Sequence, residues 1–306
     1  MKARVSTEWL SGCSGCHVAI VDLHEKLLNL VDDVEFVRVP VLMDEKGYPK
    51  ADVGIVEGAV RSEHDRHALE KMRESCGKLL AFGTCASYGG PSGIGWLYGR
   101  DAILAKAYGG NVSDAKGSKV PGGASKLEES VIPIDEVVKI DRYLPGCPPH
   151  PYFIAIAIRD LLGVESIPLS PKTVCSECGR RMQKTEGAKL SKGEVSANDP
   201  DTCFLSQGVV CLGSVTLDRC KAQCPNKGVA CAGCAGPSVD LIREPHLDIR
   251  SMVAKRMAML TGIPEQEIRD YIQGDAKTFY SYALSSPVMY GKPTVELREW
   301  AAEAAK

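Results

Sequence analysis

The sequence predicts an α/β fold, a doubly wound parallel sheet, in its first half, followed by an irregular cysteine-rich domain with a helical tail. Two observations lead to this prediction. Up to about residue 165, short apolar, β-branched segments alternate with segments whose apolar residues recur at the 3.6-residue period of a helix. From residue 166 Gly, Pro, Asn and Cys dominate, and helical periodicity returns only near residue 247. We therefore expect two domains, residues 1–165 and 166–306.

Each element is predicted from its own pattern. The predicted segments are strands at 3–10, 34–42, 51–60, 78–85 and 136–144, and helices at 16–31, 62–76, 151–163, 249–262 and 293–306. Strands that alternate with helices of this length pair in parallel. Pro151 opens its helix at a position that suits proline. The Gly-, Ser- and Lys-rich segment 108–129 is predicted to be a surface loop.

Composition excludes several functional classes. The chain has 306 residues, of which 44% are hydrophobic and 25% charged, and a net charge of −2. A charge this small gives no general attraction to nucleic acid or to an anionic membrane. No apolar run approaches the roughly 20 residues that span a bilayer. The N-terminus resembles no signal peptide or twin-arginine leader, so we expect a cytoplasmic location.

The thirteen cysteines are the unusual feature of the composition. In a reducing cytosol, so many thiols indicate metal ligands rather than disulfides. Five lie in the first 150 residues and eight between residues 175 and 234. Cys76, at the end of an amphipathic helix, is interpreted as a structural thiol. Twelve thiols then remain, which make three sets of four.

Four cysteines lie where predicted strands end. Cys13 and Cys16 follow the first strand, Cys85 ends the strand at 78–85, and Cys147 follows the strand-like segment 136–144. Because the carboxyl ends of parallel strands meet at one edge, we expect a shared site there. A lone cysteine is often only a small buried apolar residue, but four at one edge favour a common ligand. Neighbouring glycines allow close approach of the backbone, and the thiols suit iron–sulfur clusters or zinc better than a phosphate.

The other eight cysteines divide by spacing into two groups of four: Cys175, Cys178, Cys203 and Cys211, and Cys220, Cys224, Cys231 and Cys234. Zinc ribbons also use paired CxxC motifs, and zinc remains the main alternative. Here the two CxxC pairs are far apart, with single cysteines between them. Three iron–sulfur clusters, each held by four thiolates, account for every cysteine except Cys76.

Along nearly its whole length the chain resembles the small, electron-transferring subunit of NiFe hydrogenases. The motifs that support the resemblance are "CSGC" after the first strand, "VEGAV" at 56–60, "GTCASYGG" at 83–90, "PGCPP" at 145–149 and the ordered cysteine-rich half. The resemblance implies a flavodoxin-like first domain and three 4Fe–4S clusters. We call the implied ligand sets the proximal group (Cys13, Cys16, Cys85, Cys147), the medial group (Cys220, Cys224, Cys231, Cys234) and the distal group (Cys175, Cys178, Cys203, Cys211).

This sequence departs from the family pattern at three positions. Many relatives have His where Cys175 stands, so the distal group is all-thiolate here. Relatives with a 3Fe–4S medial cluster have Pro near Cys224, so the thiol implies a 4Fe–4S cluster. A Glu often precedes the first proximal cysteine, whereas Gly12 stands here, and we assign no proton-transfer role to that position. Cys211 is the least secure ligand, because the gap from Cys203 is long.

The chain is most similar to the cytoplasmic methyl-viologen-reducing, F420-non-reducing hydrogenases of methanogens. That similarity implies three partners: a large subunit with the NiFe centre, a small iron–sulfur adaptor and the heterodisulfide reductase complex. The alternatives are a subunit of an F420-reducing or a sulfur- or NAD(P)-linked hydrogenase, the quinone-reductase subunit of complex I, and a zinc-stabilised binding module without redox function.

No residue of this chain is predicted to catalyse bond breaking. Glu57 could hydrogen-bond near the proximal cluster or be a buried structural carboxylate. Thr84, beside Cys85, could donate to a cluster sulfur or only form the turn. The six histidines are interpreted as surface or packing residues.

Overall fold

The computed structural model describes residues 2–40, 42–109, 118–164, 169–191, 199–244 and 246–305. Part of the predicted loop at 108–129 and the predicted domain boundary at 165–166 lie outside these ranges. In the part of the chain that the structure describes, no helix is both long enough and apolar enough to cross a membrane.

The first half of the chain forms the predicted parallel sheet. The strands are β1 (Ala3–Trp9), β2 (Val34–Arg38), β3 (Ala51–Glu57), β4 (Val60–Ser62), β5 (Cys76–Phe82), β6 (Leu127–Ile132) and β7 (Arg142–Leu144). Five of them pair in the order β2-β1-β3-β5-β7, all parallel, while β4 and β6 form a separate antiparallel pair. This is the flavodoxin-like strand order, and it confirms the predicted fold class.

Twelve helices are described: α1 (Gly15–Val21), α2 (Glu25–Asp33), α3 (Glu63–Ser75), α4 (Gly83–Tyr88), α5 (Arg100–Tyr108), α6 (Pro151–Leu161), α7 (Gln223–Asn226), α8 (Val239–Arg243), α9 (Ile249–Thr261), α10 (Glu265–Gly274), α11 (Ala276–Phe279) and α12 (Val295–Ala304). The single helix predicted at 16–31 is wrong, because a turn with His24 at a φ of 51° separates α1 from α2. The strand predicted at 136–144 is also too long, since only β7 is extended there.

Apolar side chains cover both faces of the sheet. Val5, Ile55 and Leu80 pack against α1 and α6, whereas Leu79 on the opposite face packs against α3. The helix α3 begins at Ser62, which forms a capping box with Asp65. The alternation of neighbouring residues between faces is the normal consequence of a pleated strand.

The tail returns to the first half of the chain. The ring of Trp300 in α12 lies 5.6 Å from that of Tyr143 in β7. The Thr294 hydroxyl, which caps α12, donates to the buried Asp135 carboxylate at 2.6 Å. The cysteine-rich segment has an apolar core of its own, in which Phe204 and Val215 pack with α9 and α10. Apolar burial therefore joins the tail to both parts of the molecule.

Candidate metal centres

Four strands of the sheet end at the same level. Trp9 pairs with Glu57, Glu57 with Phe82, and Phe82 with Leu144. At that edge β1 and β7 continue into loops, whereas β5 leads directly into α4. The segments that follow β1, β5 and β7 contain the cysteines of the proximal group, so the register brings the residues after Trp9, Phe82 and Leu144 to one place.

Two glycines allow the proximal thiols to approach the backbone. Gly83 has a φ of +86°, and a Cβ at this position would overlap the Cys16 sulfur. Gly90 has a φ of +61°, and a Cβ there would lie 2.5 Å from the Cys85 sulfur. Glycine adopts these left-handed conformations without steric cost. The sequence places glycine where a side chain would fill the space that the thiols occupy.

Electrostatic interactions show that the four proximal thiols are neighbours. Burial raises the pKa of Cys16, and Glu57, Cys85, Cys147 and Cys13 raise it further. Burial also raises the pKa of Cys85 to about 12, with additional contributions from Cys147 and Cys13. Thiolates raise one another's pKa only at short range. Ionisation of these four thiols is therefore unfavourable while they bind nothing. Bound metal cations would instead favour the thiolate form.

Glu57 lies beside the proximal group and holds the start of α1. Its carboxylate accepts the backbone N–H of His17 at 2.8 Å and of Cys16 at 3.4 Å, and it lies 2.5 Å from His17 Nδ1. The other ring nitrogen of His17 lies 3.1 Å from the Thr7 hydroxyl. These are the contacts of a structural carboxylate, one of the two roles considered. His17, interpreted from sequence as a surface or packing residue, had no signal other than its position next to Cys16.

The Thr84 hydroxyl fulfils neither expected role. It donates to the Cys234 carbonyl at 2.5 Å and accepts the Gly146 N–H at 2.8 Å. Its single proton is therefore committed to a backbone oxygen and not to sulfur. Thr84 joins the loop of Cys147 to the loop of Cys234, which belongs to the medial group.

The distal thiols also lie together. Burial raises the pKa of Cys175 to about 12; Cys211, Cys203 and Cys178 raise it further, whereas Arg256 lowers it. Burial raises the pKa of Cys211 to about 11, although the amides of Gly213 and Cys231 oppose this by donating to the sulfur. The Cys231 amide nitrogen lies 3.3 Å from that sulfur. Cys211, the least secure ligand on spacing, thus interacts electrostatically with the other three.

The medial thiols lie between the other two groups. Burial raises the pKa of Cys234 to about 12, and Cys220, Cys147 and Cys224 raise it further. Burial raises the pKa of Cys231, and the neighbouring thiols of Cys211, Cys234 and Cys220 raise it further. Cys234 therefore lies near the proximal Cys147, and Cys231 near the distal Cys211. The first cysteine of the CxxC motif at 231–234 therefore lies near the distal group, and the second lies near the proximal group.

The loop of Cys220 is held in an unusual conformation. Lys221 and Ala222 both have left-handed backbone angles, with φ of 53° and 50°. The Asp218 carboxylate accepts the amides of Cys220 at 3.3 Å and Lys221 at 2.9 Å. The amides of Gln223 and Ala222 donate to the Cys220 sulfur and oppose the rise of its pKa that burial causes. Amide donors of this kind stabilise a thiolate ligand.

Cys76 lies away from all three groups. It is the first residue of β5, is 6% exposed and belongs to the apolar core under α3. Its sulfur lies 3.6 Å from the Ser75 hydroxyl. No group of three or more His, Cys, Asp or Glu side chains among the described residues is arranged to hold a metal ion. The donor chemistry, thiols with glycine at the closest approaches and amides donating to sulfur, is nevertheless the chemistry of iron–sulfur ligation, in which four thiolates surround a cluster rather than a single ion.

Comparison with known proteins gives consistent matches. Residues 13–161 match the family model described as the 20 kDa subunit of NADH ubiquinone oxidoreductase. The vhu G subunit of the F420-non-reducing hydrogenase of Methanocaldococcus jannaschii is 40% identical over 259 residues, which cover 84% of this chain and 88% of that relative. The G subunit of the F420-non-reducing hydrogenase of Methanothermobacter thermautotrophicus is 32% identical over 298 residues, 94% of this chain and 96% of the relative.

A solved structure is similar over about half of the chain. It is the crystal structure of an NAD+-reducing NiFe hydrogenase in the H2-reduced state. The matched chain is 34% identical with a TM-score of 0.52, and the match covers 54% of this chain and 94% of that one. The region matched by the family model contains all four proximal cysteines, whereas the medial and distal groups lie beyond it.

Proposed function

Because this chain belongs to the family of G subunits of F420-non-reducing hydrogenases, which are hydrogenase small subunits, we propose that it conducts electrons between a NiFe large subunit and a downstream acceptor. Its twelve grouped thiols would hold three 4Fe–4S clusters. The observation that carries the proposal is the order in which the three groups adjoin, with the medial group next to both of the others. Cys234 lies next to Cys147 at one end, and Cys231 next to Cys211 at the other.

The proposed ligand sets are those of the three groups: Cys13, Cys16, Cys85 and Cys147; Cys220, Cys224, Cys231 and Cys234; Cys175, Cys178, Cys203 and Cys211. Each cluster, when bound, supplies a one-electron carrier with a potential in the range of about −700 to +450 mV that such groups span. The residues of this chain bind the clusters and fix their spacing. Glycines permit close approach of the backbone, and amides donate to sulfur.

The open side of the proximal group supports the proposed large-subunit interface. Cys13 and Cys147 are exposed. Trp9, at the end of β1, is 39% exposed, and Val18 and Val21 on α1, the helix that contains Cys16, are 55% and 57% exposed. The Trp9 indole nitrogen would lie 3.7 Å from a Cβ on Gly12, the residue before Cys13. Exposed apolar side chains beside a functional site are typical of a protein interface.

In the proposed function, dihydrogen is split in the large subunit. Its oxidation releases two protons and two electrons, and this chain receives the electrons at the proximal group. The distal group, where Cys175 is exposed, would pass them to a small iron–sulfur adaptor and then to heterodisulfide reductase. The proposal includes a cytoplasmic location. A subunit of an F420-reducing or a sulfur- or NAD(P)-linked hydrogenase would share these groups and differ in the acceptor.

The decisive experiment is anaerobic purification of the native complex, followed by metal analysis and identification of the subunits that co-purify. We expect brown protein with about twelve iron atoms per copy of this chain, together with a nickel-containing partner. Heterodisulfide reductase subunits and a flavin alongside them would support the proposed acceptor. Colourless protein that contains zinc and no iron would contradict the proposal and favour the zinc-stabilised binding module.

The role of Thr84 gives a further prediction. In a Thr84→Val variant the Gly146 amide and the Cys234 carbonyl lose their common partner, at a cost of about 1–3 kcal/mol for buried polar groups. We expect the loop of Cys147 to separate from that of Cys234. The proximal and medial clusters should then show a weaker magnetic interaction in the EPR spectrum of the fully reduced complex.

Thr84→Ser is the matched control, because it keeps the hydroxyl and should retain the wild-type spectrum. Both variants should keep the full iron content, since Thr84 binds no cluster atom. An unchanged EPR interaction in Thr84→Val would show that the hydroxyl does not determine the spacing.

A further inference from the structure

The turn at 280–286, which follows α11, packs against the segment after the proximal Cys85. The Ser285 hydroxyl in this turn is buried. It fills the space beside Gly89 and Gly93, because a Cβ on either glycine would overlap it. Gly89 directly follows α4, the helix that contains Cys85. This contact fixes the turn next to the proximal group.

The same turn lies beside the medial group through Tyr282. Tyr282 lines a small cavity together with Ala232 and Gly233. These two residues stand between Cys231 and Cys234 in the CxxC motif of the medial group. Tyr282 is therefore a neighbour of the medial CxxC motif, in a turn that also contacts the proximal segment.

Electrostatic interactions locate the Tyr282 hydroxyl between the two groups. Burial raises the pKa of Tyr282, and four ligand thiols raise it further, in the order Cys147, Cys234, Cys224 and Cys231. Because such effects act only at short range, the phenolic oxygen lies near sulfurs of both the proximal and the medial group. Among the described residues this hydroxyl has no hydrogen-bond partner. Its proton is therefore available to an acceptor at the place where the two groups adjoin.

We propose that Tyr282 tunes the electron path, its hydroxyl donating a hydrogen bond to a ligand sulfur where the proximal and medial groups adjoin, that of Cys147 or Cys234. This inference rests on the proposed function. A phenol has one proton to donate, and an iron-bound thiolate carries the negative charge that accepts it. Reduction adds a further negative charge, so a hydrogen bond to sulfur stabilises the reduced form and raises the reduction potential.

The test is an EPR-monitored redox titration of the anaerobic native complex that contains Tyr282→Phe, a change that removes only the hydroxyl. The medial signal is identified as the one altered in a Cys224→Pro variant, and the proximal signal as the one lost in a Gly83→Ala variant. We expect one of these two signals to titrate at a lower potential than in the wild type, with iron content unchanged. A shift of the proximal signal assigns the hydrogen bond to Cys147, and a shift of the medial signal assigns it to Cys234.

Tyr280→Phe is the matched control. Tyr280 lines the same cavity as Tyr282, but the charges that act on its hydroxyl are those of Arg250, Asp248 and Arg269 and not those of thiols. Its loss should leave both potentials unchanged. Pulsed EPR of the reduced complex in D2O gives a second measurement: an exchangeable deuteron coupled to a cluster should disappear in Tyr282→Phe and remain in Tyr280→Phe.

A full-iron Tyr282→Phe complex with wild-type potentials and an unchanged deuteron coupling would overturn the inference. If Tyr282→Phe does not retain iron, Tyr282→His decides, because it keeps a ring and an N–H donor. A full-iron Tyr282→His complex should keep both potentials at or above those of the wild type, and a lowered potential there would count against the donated hydrogen bond. Wild-type protein without iron would contradict the proposed function itself, before any variant is compared.

Discussion

Replacing Gly83 by alanine is expected to abolish the proximal cluster. Gly83 has a φ of +86°, and its missing Cβ leaves the space that the Cys16 sulfur occupies. Alanine would be strained in this conformation and would also overlap the thiol. Because Gly83 follows Phe82 at the end of a central strand, the backbone cannot move away without disturbing the sheet. Cys16 would be displaced from the other three thiols.

Iron analysis of the anaerobic complex measures this effect. The Gly83→Ala complex should contain about eight iron atoms per copy of this chain instead of about twelve, and should lack the proximal EPR signal. Gly122→Ala is the control, since no atom lies within 4 Å of a Cβ at Gly122 and its φ is not left-handed. Full iron in Gly83→Ala would mean that the proximal site does not depend on this close approach.

Replacing Cys211 by serine is expected to remove the distal cluster. Cys211 is 7% exposed, and its sulfur accepts the amides of Gly213 and Cys231. Its electrostatic interactions with Cys203 and Cys178 support the proposed assignment to the distal group. A hydroxyl is a poor ligand for iron in a cluster, because the ligand that binds is an anionic sulfur. The iron content should fall by about four atoms per chain.

Cys76→Ala is the matched control for this substitution, since Cys76 is also a buried thiol but lies in the apolar core at the start of β5. It should keep all iron and only lower stability, through the loss of a small buried side chain. Cys211→Ser with full iron, or Cys76→Ala with iron lost, would show that the division into twelve ligands and one structural thiol is wrong.

Much of the fold could be predicted because its determinants are local. Apolar periodicity indicates β1, β3 and α3 within a few residues of their ends, and Pro151 indicates the start of α6. The convergence of Cys16, Cys85 and Cys147 was also predictable, because the carboxyl ends of parallel strands share an edge. A break such as that at His24 has no comparable local signal, since neither Gly nor Pro stands there.

The partners of individual polar groups required the tertiary structure. Thr84 and Cys234 are 150 residues apart in sequence, and no spacing rule relates them. Glu57 and His17 meet only because β3 lies beside β1. The docking of α12 on β7 brings the end of the chain back to its first half.

The sequence by itself determined which residue types are available and at which ends of the strands they lie. It therefore specified the parallel sheet, the family and twelve thiols in sets of four. Only the tertiary structure decided how those sets adjoin: Cys147 lies beside Cys234, and Cys231 lies beside Cys211. The physical reason is the sequence distance over which each effect acts. Propensity and periodicity act over a few residues, whereas burial, hydrogen bonding and charge depend on segments that only folding brings together.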